Sequence, residues 1–450
     1  MKRDAIDFES NDIGRLFRKL LVPTLLGTLS MSAMTAIDGI IVGQGVGPEG
    51  VAAVNIVVPI YTLMSGIALM VGAGCSVVSS IHLAKQKLKV ARLNITQALI
   101  ASSLTATLIC AIILLFPRQI FDALGASETL MPHVMSYTLW LMPGFVFEMF
   151  GLIGLFIIRL DGAPRYAMWC NIIPAVLNAL LDWVFVFPMG MGVEGAGIAT
   201  SICMILGGVM SLIYLFMPSH KLSVVMPKFS LKSLKLSLRN VGYQCRIGVS
   251  SLMGELSLAT FVYVGNLVFM SMLGDDGVAA FGISCYYTPF FFSVGNSIAQ
   301  SAQPIISYNY GIERWDRVGR VRRMLLTTSF IVGAIVTLLF IFVPEWLVGL
   351  FVDVNSTAAV IAIEGFPYYA TGIIFFILNV AIIGYYQSIE RVGRAMFITA
   401  LRGFVFIVPA FILLPKLWGA AGMWLAMPVA ELVTLMVVVT MIATRKKIRG

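Results

Sequence analysis

Seven carboxylates and one arginine stand within or at the edge of long apolar stretches: Asp38, Glu148, Asp182, Glu194, Glu255, Glu364, Glu431 and Arg402. A charge inside a membrane span costs about 2.5–3.5 kcal/mol on insertion scales and tends to be kept for ion or proton traffic. Asp38 shares a helical face with Met31 and Thr35, and Asn178 precedes Asp182 by one helical turn on the same face. A carboxylate in a low-dielectric cavity can trade a proton for a cation, which is the chemistry of an ion-coupled carrier. Asp38, Asn178 and Asp182 are therefore the expected coupling residues for H⁺ or Na⁺. Glu255 is a candidate contact for substrate or ion in the second half of the chain. Arg402, the lone cation inside a span, is expected to pair with a carboxylate such as Glu431 in a structural ion pair. Glu148, Glu194 and Glu364 are read first as structural.

Little else in the chain could do chemistry. His82, His133 and His220 form no cluster, the six cysteines have no metal-ligand spacing, and there is no nucleotide-binding loop or zinc-protease motif. No enzyme activity, cofactor or ATP-driven pumping is expected. Pro23, inside the first span, removes one backbone hydrogen bond and is a candidate bend.

The elements that must position these residues are membrane helices. The 450 residues are 59% hydrophobic and 12% charged, with mean hydropathy +0.93. Soluble chains carry roughly twice that charge, so lipid must be the solvent. Spans of ~20 residues fall at about 16–41, 51–81, 94–116, 133–158, 167–188, 195–217, 246–273, 278–308, 324–343, 362–388, 396–414 and 420–443. The fold class expected is all-α integral membrane, with twelve transmembrane helices. With the N-terminus in the cytoplasm, 28 Lys/Arg fall on the cytoplasmic side and two, Arg118 and Lys416, on the other. Such a bias orients the protein with both termini inside. It also explains the net charge of +9 without a nucleic-acid partner. The basic N-terminus leads directly into a full-length span, as in a retained first helix.

An internal repeat divides the chain. Gly50-Val51-Ala52-Ala53 recurs as Gly277-Val278-Ala279-Ala280, and Phe185-Val186-Phe187-Pro188 resembles Ile412-Leu413-Leu414-Pro415, both at an offset of 227. Arg165-Tyr166-Ala167-Met168 resembles Arg394-Ala395-Met396, and Glu194-Gly195-Ala196-Gly197 resembles Gly419-Ala420-Ala421-Gly422. The expected division is an N-terminal six-helix bundle (1–217), a cytoplasmic linker (218–245) and a C-terminal six-helix bundle (246–450). In the linker, Leu231, Leu234 and Leu238 share one face and Lys232, Lys235 and Arg239 another, as in a short helix lying among lipid headgroups. Two related halves around a midplane site is a recurring carrier plan.

Four stretches then resemble one family, the multidrug and toxic compound extrusion (MATE) transporters, in the bacterial MepA-like branch. They are Pro23 followed by Asp38, Gly39, Ile40 and Gly43; Ile158-Arg159-Leu160-Asp161-Gly162-Ala163-Pro164; Asn178-Ala179-Leu180-Leu181-Asp182; and Gln303-Pro304-Ile305-Ile306-Ser307-Tyr308-Asn309-Tyr310-Gly311. The resemblance implies two pseudo-symmetric bundles and export of lipophilic, often cationic compounds driven by inward H⁺ or Na⁺. It implies that Asp38, Asn178 and Asp182 form the N-half ion and proton site, with Glu255 matching an acid that some members use. Span 10 lacks the aspartate found in other branches, which favours the N-half.

The expected function is a secondary antiporter working by alternating access. It is expected as a monomer in the bacterial inner membrane, with lipid and small lipophilic or cationic substrates as its partners. Two rivals are weaker. A lipid or lipid-linked precursor flippase would want a strongly cationic cavity, and a membrane-embedded transferase would need a His/Asp or paired-acid constellation at one interface.

Overall fold

The structure is a computed structural model and describes residues 6–226 and 230–449, with side chains to residue 442 except that of Pro48. Lys2, Arg3 and Lys228, and the side chains of Arg445, Lys446, Lys447 and Arg449, all counted above as cytoplasmic charge, lie outside the described residues.

The described residues form fifteen α-helices and one π-helical segment. The first half contains α1 (Ile13–Gly45), α2 (Pro48–Ala84), α3 (Leu88–Leu115), α4 (Pro117–Ala123), α5 (Met131–Leu160), α6 (Pro164–Val186) and α7 (Gly192–Phe216). There follow α8 (Leu231–Gly311), α9 (Trp315–Phe342), α10 (Pro344–Gly349), α11 (Thr357–Ala370), α12 (Ile373–Ser388) and α13 (Val392–Ala400). The π segment Leu401–Val405, α14 (Ile407–Trp424) and α15 (Ala426–Arg449) complete the chain. No strand occurs among the described residues.

Their surfaces are those of membrane helices. On α6, Ile173, Val176, Leu180 and Trp183 point outward, while Asn171, Asn178 and Asp182 are buried. Leu180 is 59% exposed and Asp182 0%, the reverse of a water-soluble helix. Only a lipid surround makes that arrangement stable. The chain is a multi-pass membrane protein.

Among the described residues nine helices are long and apolar enough to cross a bilayer, or ten if α11 and α12, bent by 48°, count as one span. The expected twelve is therefore not met by twelve unbroken helices. A break at Gly274 accounts for one missing span, and the last apolar helix, Ala426–Ile442, is too short among the described residues to count as another. Helix α8 is 81 residues long. At ~1.5 Å per residue a straight run would be about 120 Å, four times the hydrocarbon thickness. It is interrupted at Gly274 (φ 64°, ψ −152°). Helix α14 is interrupted likewise at Trp418 and Gly419. At Pro23, where a bend is expected, α1 continues as one helix. The π segment has a cause four residues beyond its end. Pro409 has no N–H for the Val405 carbonyl and its ring displaces that carbonyl, so the chain widens and Phe406 N–H bonds Leu401 O, five residues back, at 2.9 Å.

The internal repeat is written in the backbone. Left-handed φ occurs at Gly47 and Gly274, at Gln86 and Glu313, and at Gly192 and Gly419, each pair 227 residues apart, and at Gly162 and Glu390, 228 apart. Pro117 and Pro344, again 227 apart, open the short helices α4 and α10 after caps of nearly equal dihedrals. These marks correct the register of one match: Gly419 pairs with Gly192, not with Glu194.

The chain separates into two compact units, Met1–Leu252 with Pro304–Val318, and Met253–Gln303 with Gly319–Gly450. These limits differ from the expected 217/218 and 245/246. The first stretch of α8 stays with the first unit because its polar side chains bond α3. Gln97 donates to Ser237, Asn240 donates to Gln97 and Gln244 donates to Asn94 Oδ1, at 2.8, 3.1 and 2.9 Å. The expected linker helix is thus the beginning of α8, and its Leu231, Leu234 and Leu238 are exposed.

Candidate functional site: a buried acid pair in the first unit

Helix α1 lies close along α6 because glycines face it. A Cβ at Gly27 would sit 3.1 Å from the Asn171 amide, and one at Gly45 would collide with Val186. Small residues of this kind let membrane helices approach. The approach brings Asp38 on α1 to Asp182 on α6, and the two carboxyl groups lie within hydrogen-bonding reach of each other. Asn178, one turn before Asp182, is fully buried beside α7, and its Nδ2 reaches Thr200 Oγ1 at 3.4 Å. Tyr137 of α5, itself buried, hydrogen-bonds Thr200 and feels both acids. Gly197, one turn before Thr200, is where α7 passes the Tyr137 carbonyl, which a Cβ would approach to 2.9 Å.

Four oxygens of these residues lack a donor: Asp38 Oδ1, Asn178 Oδ1 and both carboxylate oxygens of Asp182 are buried with no hydrogen-bond partner in the protein. Two adjacent carboxylates out of water cannot both stay charged and unpartnered. The site needs a proton between them or a hard cation on its oxygens, and an all-oxygen donor set suits such an ion. Among the described residues no three His, Cys, Asp or Glu side chains come together.

All three residues named from sequence for ion coupling thus meet at one place. Tyr137 and Thr200 were missed, since a tyrosine and a threonine in apolar helices carry no charge signal. The remaining candidates lie elsewhere. In the second unit, Arg402 and Glu431 form a buried ion pair: Arg402 Nη2 and Nε donate to Glu431 Oε1 at 2.6 and 2.9 Å. Asn379 donates to Glu431 Oε2 at 2.7 Å, and the guanidinium lies 4.1 Å from the centre of the Phe376 ring. Glu255 is half-buried on α8 in that unit. Glu194 accepts from the Trp140 indole at 2.8 Å, and Glu364 is exposed. The Arg159–Pro164 stretch serves structure: Asp161 accepts from the Tyr214 hydroxyl at 2.8 Å and from Leu222 N–H at 2.9 Å, tying down the segment after α7.

The MatE family model matches residues 23–184 and 252–412, one stretch in each half and most of the chain. The chain belongs to the MatE family. The multidrug export protein MepA of Staphylococcus saprophyticus is 24% identical over 442 residues, covering 94% of this chain and 92% of that protein. A FAD transporter of Shewanella oneidensis is 24% identical over 337 residues, covering 73% and 72%. The same fold occurs in an outward-facing multidrug resistance transporter of this family (TM-score 0.89, 21% identity, 97% of both chains). It also occurs in a MOP superfamily transporter from Pyrococcus furiosus (TM-score 0.87, 20% identity, 96% and 95%). Within this MatE fold the acid pair falls inside the first matched stretch and the Arg402–Glu431 pair straddles the end of the second.

Proposed function

We propose that this protein is a secondary active multidrug efflux antiporter, exporting lipophilic, often cationic compounds in exchange for H⁺ or Na⁺ by alternating access. The observation that carries this reading is the Asp38–Asp182 pair with its four partnerless oxygens, a site that must load and unload a small cation. The MepA relatives supply the substrate class. Asp38 and Asp182 hold the ion, Asn178 co-ligates it, and Tyr137 and Thr200 fix the walls. An inner-membrane location in a bacterium, cytoplasmic termini and a monomer complete the proposal.

A membrane potential supplies about 2.3 kcal/mol per charge per 100 mV. One H⁺ exchanged for a neutral compound could thus sustain roughly 40-fold accumulation at 100 mV, at ~1.4 kcal/mol per decade. A flippase for anionic headgroups is not favoured, because the buried Arg402 is already neutralised by Glu431.

The test is transport of a fluorescent organic cation in proteoliposomes under a pH gradient and a sodium gradient imposed one at a time. Movement driven by at least one of them is expected. Binding that ignores both gradients, with no movement, would overturn the proposal.

A further inference from the structure

Outside the acid pair, the first unit holds one more membrane carboxyl with an unusual environment. Glu148 lies in the middle of α5. Ser65 Oγ of α2 donates to its Oε1 at 3.0 Å, and the Tyr61 hydroxyl, one turn earlier on α2, also hydrogen-bonds the carboxyl. Oε2 is buried and has no partner. The residue as a whole is only half-buried, as is Tyr61, so one side of this cluster reaches the surface of the unit. A lipid-facing charge at mid-span is costly, so a carboxyl so placed needs a polar partner or a proton.

The ligand that fits is narrow. An organic cation cannot reach an oxygen buried to this degree. Sodium needs several oxygens around it, whereas Oε2 has no hydrogen-bonding neighbour to share one. A proton needs only Oε2 itself. The groups acting on Glu148 are Ser65 and Tyr61 of α2; no charged side chain of α3, α4, α6 or α7 is among them. Tyr137, beside the Asp38–Asp182 pair, is 11 residues away along α5, about 16 Å at ~1.5 Å per residue, so the two sites are separate.

We infer that Glu148, held by Ser65 and Tyr61, is a second proton-binding site, independent of Asp38 and Asp182, which adds a proton to each transport cycle. The inference rests on the antiporter reading. Its consequence is electrical. One H⁺ exchanged for one monovalent cation moves no net charge, whereas a second proton makes the exchange carry charge, so that a membrane potential alone drives it.

The experiment uses the full-length protein in proteoliposomes with ethidium as substrate and a potassium diffusion potential of 100 mV, no pH or sodium gradient being present. The wild type is expected to accumulate ethidium about 40-fold over the unpolarised control. Glu148→Gln is expected to keep transport driven by a pH gradient and to lose this response. Wild-type transport that follows a pH gradient but ignores the potential overturns the inference, as does a Glu148→Gln protein that still responds. Infrared spectroscopy of the membrane-embedded protein decides independently of transport. A protonated-carboxyl band should survive in Asp38→Asn, disappear in Glu148→Gln and shift in Ser65→Ala, which removes the hydrogen bond to Oε1. A band unmoved by both Glu148→Gln and Ser65→Ala overturns the inference. No transport by wild type under any gradient sinks the antiporter reading instead, and the infrared band then still decides whether Glu148 holds a proton.

Discussion

The Asp38 carboxyl of α1 and the Asp182 carboxyl of α6 lie within hydrogen-bonding reach, and no protein donor reaches either oxygen of Asp182. Under the proposed function the two residues act on one ion, so they should fail as one. Asp38→Asn and Asp182→Asn are each expected to reduce gradient-driven export to background while leaving the protein in the membrane. The double variant should be no worse than either single, because groups working as a unit are not additive. Gradient-driven dye flux in proteoliposomes measures this, and full export by Asp38→Asn would remove that residue from the site.

The ion pair of the second unit makes the opposite prediction, one of stability. Arg402→Met leaves the Glu431 carboxylate buried with only Asn379 to satisfy it. Removing one partner of a buried pair costs roughly 3–5 kcal/mol, whereas replacing both by apolar groups is close to neutral. Thermal unfolding in detergent should show a large drop for Arg402→Met and recovery of most of it in Arg402→Met/Glu431→Met. Equal losses in the two proteins would argue that the pair does more than fill space.

Gly47 and Gly274 should respond alike to substitution. Both have left-handed φ, and a Cβ at either would meet nothing within 4 Å. The cost of Gly47→Ala and of Gly274→Ala is then conformational strain alone, of order 1–3 kcal/mol. Melting temperatures of the two single variants should fall by similar amounts; a fall confined to one would break the equivalence of the two turns.

A pH effect is expected at the N-terminal turn, outside the membrane. The Ser10 hydroxyl and the Glu9 N–H donate to Asp7 and hold its carboxyl below the ordinary 3.8. A group whose folded value is depressed stabilises above its unfolded value and loses that contribution as the pH falls through the folded one. The turn at residues 7–11 should therefore be unaffected from neutral pH down to about 4 and loosen below it. Hydrogen exchange of this segment against pH tests the sign, and Asp7→Asn should abolish the dependence.

Sequence and structure agree where physics leaves a strong mark. Asp38, Asn178 and Asp182 were legible because polar side chains stand out in apolar stretches where each is costly. Arg402 was legible for the same reason. Tyr137 and Thr200 were not, since each looks like ordinary helix filling until the fold brings α5 and α7 to α6. The Ser65–Glu148 bond joins residues 83 apart, and only the packing of α2 on α5 makes the pair. Nor does any local pattern announce that Phe8, ahead of the first span, accepts hydrogen bonds at its carbonyl from Asn309 and Arg317, at 3.1 and 3.2 Å. The helix breaks at Gly274 and Gly419 fall in the gaps already expected between the spans ending at 273 and 414 and those beginning at 278 and 420.

The paired backbone marks at a spacing of 227 residues have a historical consequence. Counted by that spacing, Asp38 falls on Gly265, Glu148 on Phe375 and Asp182 on Pro409. The copies have kept their corners and lost each other's chemistry. That is the pattern a doubled gene leaves behind: a turn needed for folding is purged of change in both copies, while a reactive group can decay in one as long as the other retains it. By that reading the chain descends from a protein of about half its length, and the acids of the first half have no counterpart at these positions of the second.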